Sequence, residues 1–530
     1  MSTPISNQYV HDLDRQHVFH SWSTQGALNP LVIAGGEGCT LWDYDGKRYL
    51  DFSSQLVNTN IGHQHPKVIA AIQEQAGSLV TIAPATANLM RGEAAKRILA
   101  RAPAGFSKVF FTNAGADANE NAMRMARLYT GRDKILSAYR SYHGSTGAAI
   151  VATGDPRRVP NEYARGHVHF FNPYLYRSEF NAANEDEECA RALQHLRRVI
   201  ECEGPGAIAA ILLESIPGTA GILVPPKGYM QGVRKLADEF GILLILDEVM
   251  AGFGRTGSWL ALEHFDVVPD LIVFAKGVNS GYVPAGGVMI SKPICEHFDN
   301  HFFPGGLTYS GHPLAMAAIV ATLDAMSEEG MVENARNIGA QVLGPGLKKL
   351  AERYPMIGEA RGVGLFWALE FVSDVQKKTP MPAPVMQEMK AALTARGLLS
   401  FVVENRIHVV PPCIVSAAQV NEALAIFDEV FASKDLAEWR KILDGNGLVF
   451  GVVGILDDIP NDKQMIENEV LVRFENDTML TVNSPIFIDG AKKVQPRKPP
   501  EVGEHSDEIL RQAGYDEATI RKLRASGAVA

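Results

Sequence analysis

The 530-residue chain has only five cysteines, Cys39, Cys189, Cys202, Cys295 and Cys413, and no two of them stand in CxxC spacing. That scarcity excludes a disulfide framework and a cysteine-based zinc site, and it predicts a reducing compartment, the cytoplasm. Long basic runs with interleaved aromatics are also missing. The formal net charge is -10, so nucleic acid is not an expected partner. No apolar run reaches bilayer length; Ala207 to Leu213 stops at Glu214, which predicts core strands and no membrane contact. The first residues, MSTPISNQYVHDLDRQ, lack the apolar centre of a signal peptide, and no secretion is expected. Internal repeats and low-complexity tracts are absent. His63 and His65 flank Gln64 without a third ligand in view, so they read as local hydrogen-bonding groups, and no metal is expected.

What the chain does have is concentrated between Gly241 and Lys276 (GILLILDEVMAGFGRTGSWLALEHFDVVPDLIVFAK). Ile242 to Leu246 is a continuous aliphatic run that ends in Asp247-Glu248, and Leu271 to Ala275 is an equally apolar run that ends in Lys276. Runs of this kind read as strands buried on both faces of a parallel sheet, and ligands gather at the carboxyl ends of such strands. The literal GxGxxG of Gly252 to Gly257 lies between them. In a dinucleotide site the first glycine directly follows the strand and the last enters a helix. Neither holds here, so this run reads as a flexible connection.

Along the chain, residues 31 to 52 alternate around Asp45-Gly46 as a β-hairpin, and Pro66 opens a helix. Lys108 to Thr112 is a strand whose following turn, Asn113 to Glu120, leads into a helix. The free amides of a helix start, here at Gly115 and Ala116, make a phosphate seat. Ile135 to Ala138 runs into Tyr142-His143-Gly144, and Ala207 to Leu213 into Glu214. Helix 227 to 240, a strand from Pro284 to Ile290, helical pattern over Met331 to Arg353, a strand from Gly362 to Val372, helices 383 to 396 and 418 to 431, and a strand near Ile407 to Val410 complete the body. The alternation predicts an α/β fold with a large, mainly parallel sheet and a smaller α/β lobe. The expected domains are 1-65, an N-terminal segment with the hairpin, part of the small lobe; 66-330, the large domain; 331-432, the rest of the small lobe; and 433-530, an appended module.

A lysine and an aspartate at strand ends, a phosphate seat and an aromatic face together match the needs of pyridoxal 5'-phosphate. Its aldehyde takes a lysine amine, its ring nitrogen a carboxylate, and its phosphate backbone donors. Over residues 15 to 432 the sequence also resembles the class III aminotransferases, fold-type I pyridoxal phosphate enzymes of the ω-amino acid or amine:pyruvate type. The motifs are LILDEVMAGFGRTG, FAKGVNSGYVPAGGVM, the YHG of Tyr142 to Gly144 and the TYSGHP of Thr308 to Pro313. The resemblance implies that Lys276 binds the cofactor aldehyde and Asp247 its ring nitrogen. Tyr142, with His143 beside it, covers one ring face and Val249 the other. Gly115 and Ala116 take the phosphate, Glu214 lies on the hydroxyl side, and Thr308 reaches the phosphate of a neighbouring subunit in a homodimer. The expected partners are a small-molecule amine donor and a keto acid acceptor.

Three positions depart from the family pattern. Ala116 stands where a serine is usual, Glu214-Ser215-Ile216-Pro217-Gly218 replaces Glu-Pro-Ile-Gln-Gly, and His408 aligns with the substrate-carboxylate arginine, with Arg406 nearby. Leu56, Val57 and Arg406 are the expected substrate-binding residues; the first two are small where some relatives carry an aromatic. An aminomutase, racemase or decarboxylase of the same fold is the rival enzymatic reading, and a non-catalytic scaffold acting through its tail the remote one. The tail VQPRKPPEVGEHSDEILRQAGYDEATIRKLRASGAV resembles the end of class III CoA-transferases of the carnitine/formyl type, whose upstream aspartate region has no counterpart here.

Overall fold

The computed structural model describes residues 5–432, 441, 443, 445, 447 and 456–530. The chain divides into two compact units, Met1–Trp439 and Arg440–Ala530. At the centre of the first stands a seven-stranded sheet. Its strands, labelled in chain order, are β1 (Phe106–Thr112), β2 (Lys134–Ala138), β3 (His167–Phe170), β4 (Ile208–Glu214), β5 (Leu243–Asp247), β6 (Leu271–Phe274) and β7 (Gly286–Ser291). They lie in the order β1-β7-β6-β5-β4-β2-β3. The neighbours from β6 to β3 are parallel, whereas β7 runs antiparallel to both β1 and β6.

The continuous apolar runs form this sheet because each face has its own core. Leu212, Ile245 and Val273 pack with Ala118, Ala122 and Met123 of helix Gly115–Thr130. Residues one step along, Ile211, Leu244, Leu246, Ile272 and Phe274, pack on the other side with helices Glu185–Glu203 and Tyr229–Phe240. Side chains alternate across a strand, so burial on both faces demands an apolar residue at every position. The polar residues therefore collect at the strand ends.

The smaller lobe is an antiparallel sheet of Ile357–Val363, Phe366–Asp374, Arg406–Val409 and Phe401–Val403. The expected single strand Gly362 to Val372 is a hairpin, turning at Gly364, whose φ of +58° suits glycine. A second correction concerns residues 31 to 52, which form three strands, Gly35–Glu37, Thr40–Trp42 and Arg48–Asp51. The extra turn lies at Gly38-Cys39, between the paired Glu37 and Thr40. The last of these strands pairs parallel with Leu398–Leu399, which joins the N-terminal segment to the C-terminal part of this unit. The pattern Met331 to Arg353 is two helices joined by a π turn at Gly339–Leu343, where Gly339 packs on the backbone of Gly364. In the second unit, Leu471–Arg473 and Leu480–Val482 form a hairpin, followed by helices Ser506–Gln512 and Glu517–Ala525.

Candidate active site

Strand register brings the chemistry together. Glu214 lies opposite Asp247 at the ends of β4 and β5, and Asp247 lies opposite Val273, three residues before Lys276. Asp247 is 3% exposed. Its Oδ2 accepts from Asn119 Nδ2 and from His143 Nδ1, both at 2.8 Å, and its Oδ1 accepts the Val249 N–H at 3.0 Å. A carboxylate only accepts, so His143 carries its proton on Nδ1; its Nε2 is buried without a partner. Glu214 is also buried and accepts the N–H groups of Tyr142 (3.0 Å) and Gly218 (2.8 Å). Burial, opposed by His143 and assisted by Asp247, pushes its carboxyl up to about 7.

Lys276 follows β6 in the left-handed region, φ +45°, which is uncommon for a residue with a side chain. Its amine has no hydrogen-bond partner among the described residues. Burial lowers its proton affinity, while Asp247 and Glu214 pull the other way and Arg157 and Arg255 add to the lowering. Lys276 lines a cavity of about 710 Å³ together with Tyr142, Arg157, Phe401 to Glu404, Arg406, Leu56, Trp22, Thr219 and Met250.

These residues fit pyridoxal phosphate. Helix Gly115–Thr130 starts without a side-chain cap, so its first amides are free for an anion. A Cβ on Gly115 would sit 2.9 Å from Val249 Cγ2 and 3.6 Å from Ala275 Cβ. A side chain here would press on Val249 in the turn after Asp247, while Ala275, before Lys276, lies at ordinary contact distance. The helix start thus lies against the turn after Asp247 and near the residue before Lys276, while Lys276 and the half-buried Tyr142 line the cavity, whose lining does not include Asp247 or the helix start.

The remaining expected residues separate. Ala116 follows Gly115 at the helix start, and Val249 is next to it. Leu56 lines the cavity, but Val57 is 1% exposed and turns into the core. Arg406 lines the cavity, with Nη2 on Glu404 and Nε buried without a partner. His408, fully buried, packs edge-on against Phe401 at 5.2 Å, and neither ring nitrogen has a partner. Burial holds it neutral, well below the usual histidine range. Thr308 is exposed and does not line this cavity. His63 bonds Asp51 at 2.9 Å and His65 bonds Glu329 at 3.1 Å; no metal-binding group is found among the described residues.

The GxGxxG is not flexible. Phe253 and Arg255 are fully buried, and the turn is closed by Phe253 N–H to Trp259 O (2.6 Å) and Gly254 N–H to Ser258 O (3.1 Å). Sequence reasoning missed Asn119, Trp22, Met250 and Arg157. Asn119 lies one helical turn after Gly115, a spacing that places it over the same space; nothing local marks the others.

The chain is similar to known proteins over most of its length. The Aminotransferase class-III family matches residues 22–431, and CoA-transferase family III matches residues 412–506, overlapping its end. A taurine–pyruvate aminotransferase of Bilophila wadsworthia is 32% identical over 447 residues, 79% of this chain and 96% of its own. A 5-aminovalerate aminotransferase of Pseudomonas aeruginosa is 34% identical, over 77% of this chain and 94% of its own. Among solved structures, a taurine:2-oxoglutarate aminotransferase from Bifidobacterium kashiwanohense, in complex with PLP and glutamate, superposes with a TM-score of 0.79 at 43% identity, covering 84% of this chain and 99% of that one. An (S)-enantioselective omega-transaminase from Thermomicrobium roseum gives 0.78 at 35% identity, covering 81% and 99%. The chain has the fold-type I architecture, and it belongs to the class-III aminotransferases, which work with pyridoxal phosphate.

Proposed function

We propose that the chain moves an amino group from an ω-amino acid or amine, of the taurine, β-alanine or GABA type, to a keto acid such as pyruvate. The observation that carries this is the unpartnered Lys276 amine at the floor of a cavity, beside the buried Asp247 and Glu214. Bound pyridoxal phosphate supplies an electron sink for a carbanion next to nitrogen. Lys276 would hold the cofactor aldehyde and, with its amine free, would act as the base and acid that removes and returns the substrate proton. Its burial-lowered proton affinity suits a base. Asp247, fixed by Asn119, His143 and Val249, is the carboxylate that would hold a proton on the cofactor's ring nitrogen. Glu214 holds the Tyr142 backbone, and Tyr142 would supply the aromatic face for the cofactor ring. The uncapped amides at Gly115 and Ala116 take the phosphate, with no hydroxyl from Ala116 to help.

Thr308 serves the partner site of a homodimer in this reading. Its support is exposure on a loop that also exposes Phe302 (88%) and Tyr309 (60%), apolar surface suited to an interface. The free cysteines, four of them buried, suit the cytoplasm, and among the described residues no helix is long and apolar enough to cross a membrane. Residues 433–530 are read as an appended module for packing or partner contact. The test is a half-reaction screen. The visible absorption of the holoenzyme is followed with taurine, β-alanine, GABA, aliphatic diamines and aryl amines, and restored with pyruvate or 2-oxoglutarate. An ω-amino acid discharges it; failure of every donor overturns the reading.

A further inference from the structure

The cavity over Lys276 is lined by three arginines, Arg140, Arg157 and Arg406, against two carboxylates, Asp155 and Glu404. This excess of positive charge suits a substrate with an acid group. Which arginine reads that group is decided by how each is held. Arg140 donates to Glu179 at 2.7 Å. Arg406 is paired with Glu404 and runs against Gly221, where an added Cβ would lie 2.6 Å from its Cδ. Its Nε is buried without a partner, so Arg406 too keeps an unused donor, but only one of its nitrogens is anchored. His408, on the same face of that strand, is neutral and sealed behind Phe401.

Arg157 differs. It sits in the first turn of the short helix Pro156–Asn161, whose N-cap is Asp155. Asp155 Oδ1 accepts the Arg157 backbone N–H at 2.9 Å, and its two oxygens accept Nε at 3.0 Å each and Nη2 at 2.5 Å. The guanidinium plane also lies over the Tyr142 ring, 3.9 Å from its centroid. One edge and one face are therefore fixed, and Nη1 is left without a partner among the described residues, in a side chain 35% exposed. A guanidinium held in place before the ligand arrives loses little entropy on binding an oxyanion. Its positive charge also acts on Lys276 in the same cavity lining.

We propose that Arg157 binds the acid group, carboxylate or sulfonate, of the substrates in this cavity, in place of the strand that carries Arg406 and His408. The proposal rests on the transaminase reading. In it, Asp155 is a positioning residue: it aims the guanidinium and leaves the free edge for the ligand.

The experiment uses the holoenzyme and two acids that carry no amine, ethanesulfonate and propionate. Their binding is titrated by calorimetry to the native protein, Arg157→Gln, Arg157→Lys and Arg406→Gln. In parallel, the ratio of kcat/KM for an ω-amino acid to that for an uncharged aryl amine is measured. Arg157→Gln is expected to weaken both acids, and to lower that ratio, by about 10- to 100-fold, the range for a hydrogen bond to a charged group. Arg157→Lys falls between, because it keeps the charge and loses the planar edge. Loss of only one acid assigns the site to that chemistry within the same proposal. An equal fall for acidic and uncharged donors makes Arg157 a support for Tyr142 and overturns it, as does selective loss of the acids in Arg406→Gln alone. If the native enzyme turns over no donor, the transaminase reading fails, while the calorimetric arm still decides for or against Arg157.

Discussion

Replacing Asp247 by asparagine keeps the shape of the side chain and removes its charge. The carboxylate now serves three donors: Asn119 and His143 on one oxygen, the Val249 N–H on the other. An amide has one oxygen. If that oxygen stays with Asn119 and His143, its NH₂ meets the Val249 N–H and one donor is left unpaired, at about 1–3 kcal/mol. In the reverse orientation Val249 keeps its acceptor, and His143 can move its proton to the unpartnered Nε2 and accept from the new NH₂. The Asn119 NH₂ then loses one acceptor but keeps the His143 carbonyl, so in either orientation the fold survives with a modest loss. Catalysis suffers more, because the anion facing the ring nitrogen is gone. Breaking one partner of a buried charge pair costs about 3–5 kcal/mol, which at about 1.4 kcal/mol per decade is roughly 10²- to 10⁴-fold in rate. Single-turnover kinetics of the Asp247→Asn holoenzyme with a saturating donor read the rate, and a urea midpoint reads the stability. A rate within tenfold of native, with cofactor bound, would show that Asp247 serves the fold and not the ring.

Two further predictions concern the surroundings of that carboxylate. Glu214 titrates near 7 in the fold against an ordinary 4.5, so between these values the folded protein holds a proton that the unfolded chain releases. Its contribution to stability is complete below about 4.5 and is lost as pH rises through about 7; Glu214→Gln should flatten that part of a urea stability profile, and an unchanged slope would refute it. Arg255, fully buried, donates to Pro411 O, to Leu365 O at 3.3 Å, to Ser54 Oγ at 3.0 Å and to Asn60 Oδ1 at 2.7 Å, all neutral acceptors. Arg255→Met strands several acceptors but removes a buried cation, and a net loss of about 2–4 kcal/mol is expected; a urea-derived change below about 1 kcal/mol would contradict it.

The strands that carry Glu214, Asp247 and Lys276 were legible because burial on both faces forces unbroken apolar runs, and a polar residue at the end of such a run stands out. Strand direction was not legible: β7 is mainly apolar like its parallel neighbours, and only its antiparallel register with β1 and β6 reveals it. The turn at Gly364 was hidden inside a run of apolar residues, where no polar residue marks the reversal. Gly252 to Gly257 looked mobile because glycine permits freedom, yet the side chains between the glycines decide the outcome, and Phe253 and Arg255 bury the turn. Nothing local in the sequence marks Arg157; its meaning comes from Asp155 on one edge and from Tyr142, 15 residues away in sequence, against its face.

The central claim is that Lys276 carries the cofactor. Borohydride reduction of the holoenzyme fixes a cofactor held by an imine to its lysine, and peptide mass spectrometry then locates it. The predicted result is a cofactor adduct on the peptide containing Lys276, absent from Lys276→Ala. An adduct on a different lysine, or none on a protein that still transfers amino groups, would contradict the account.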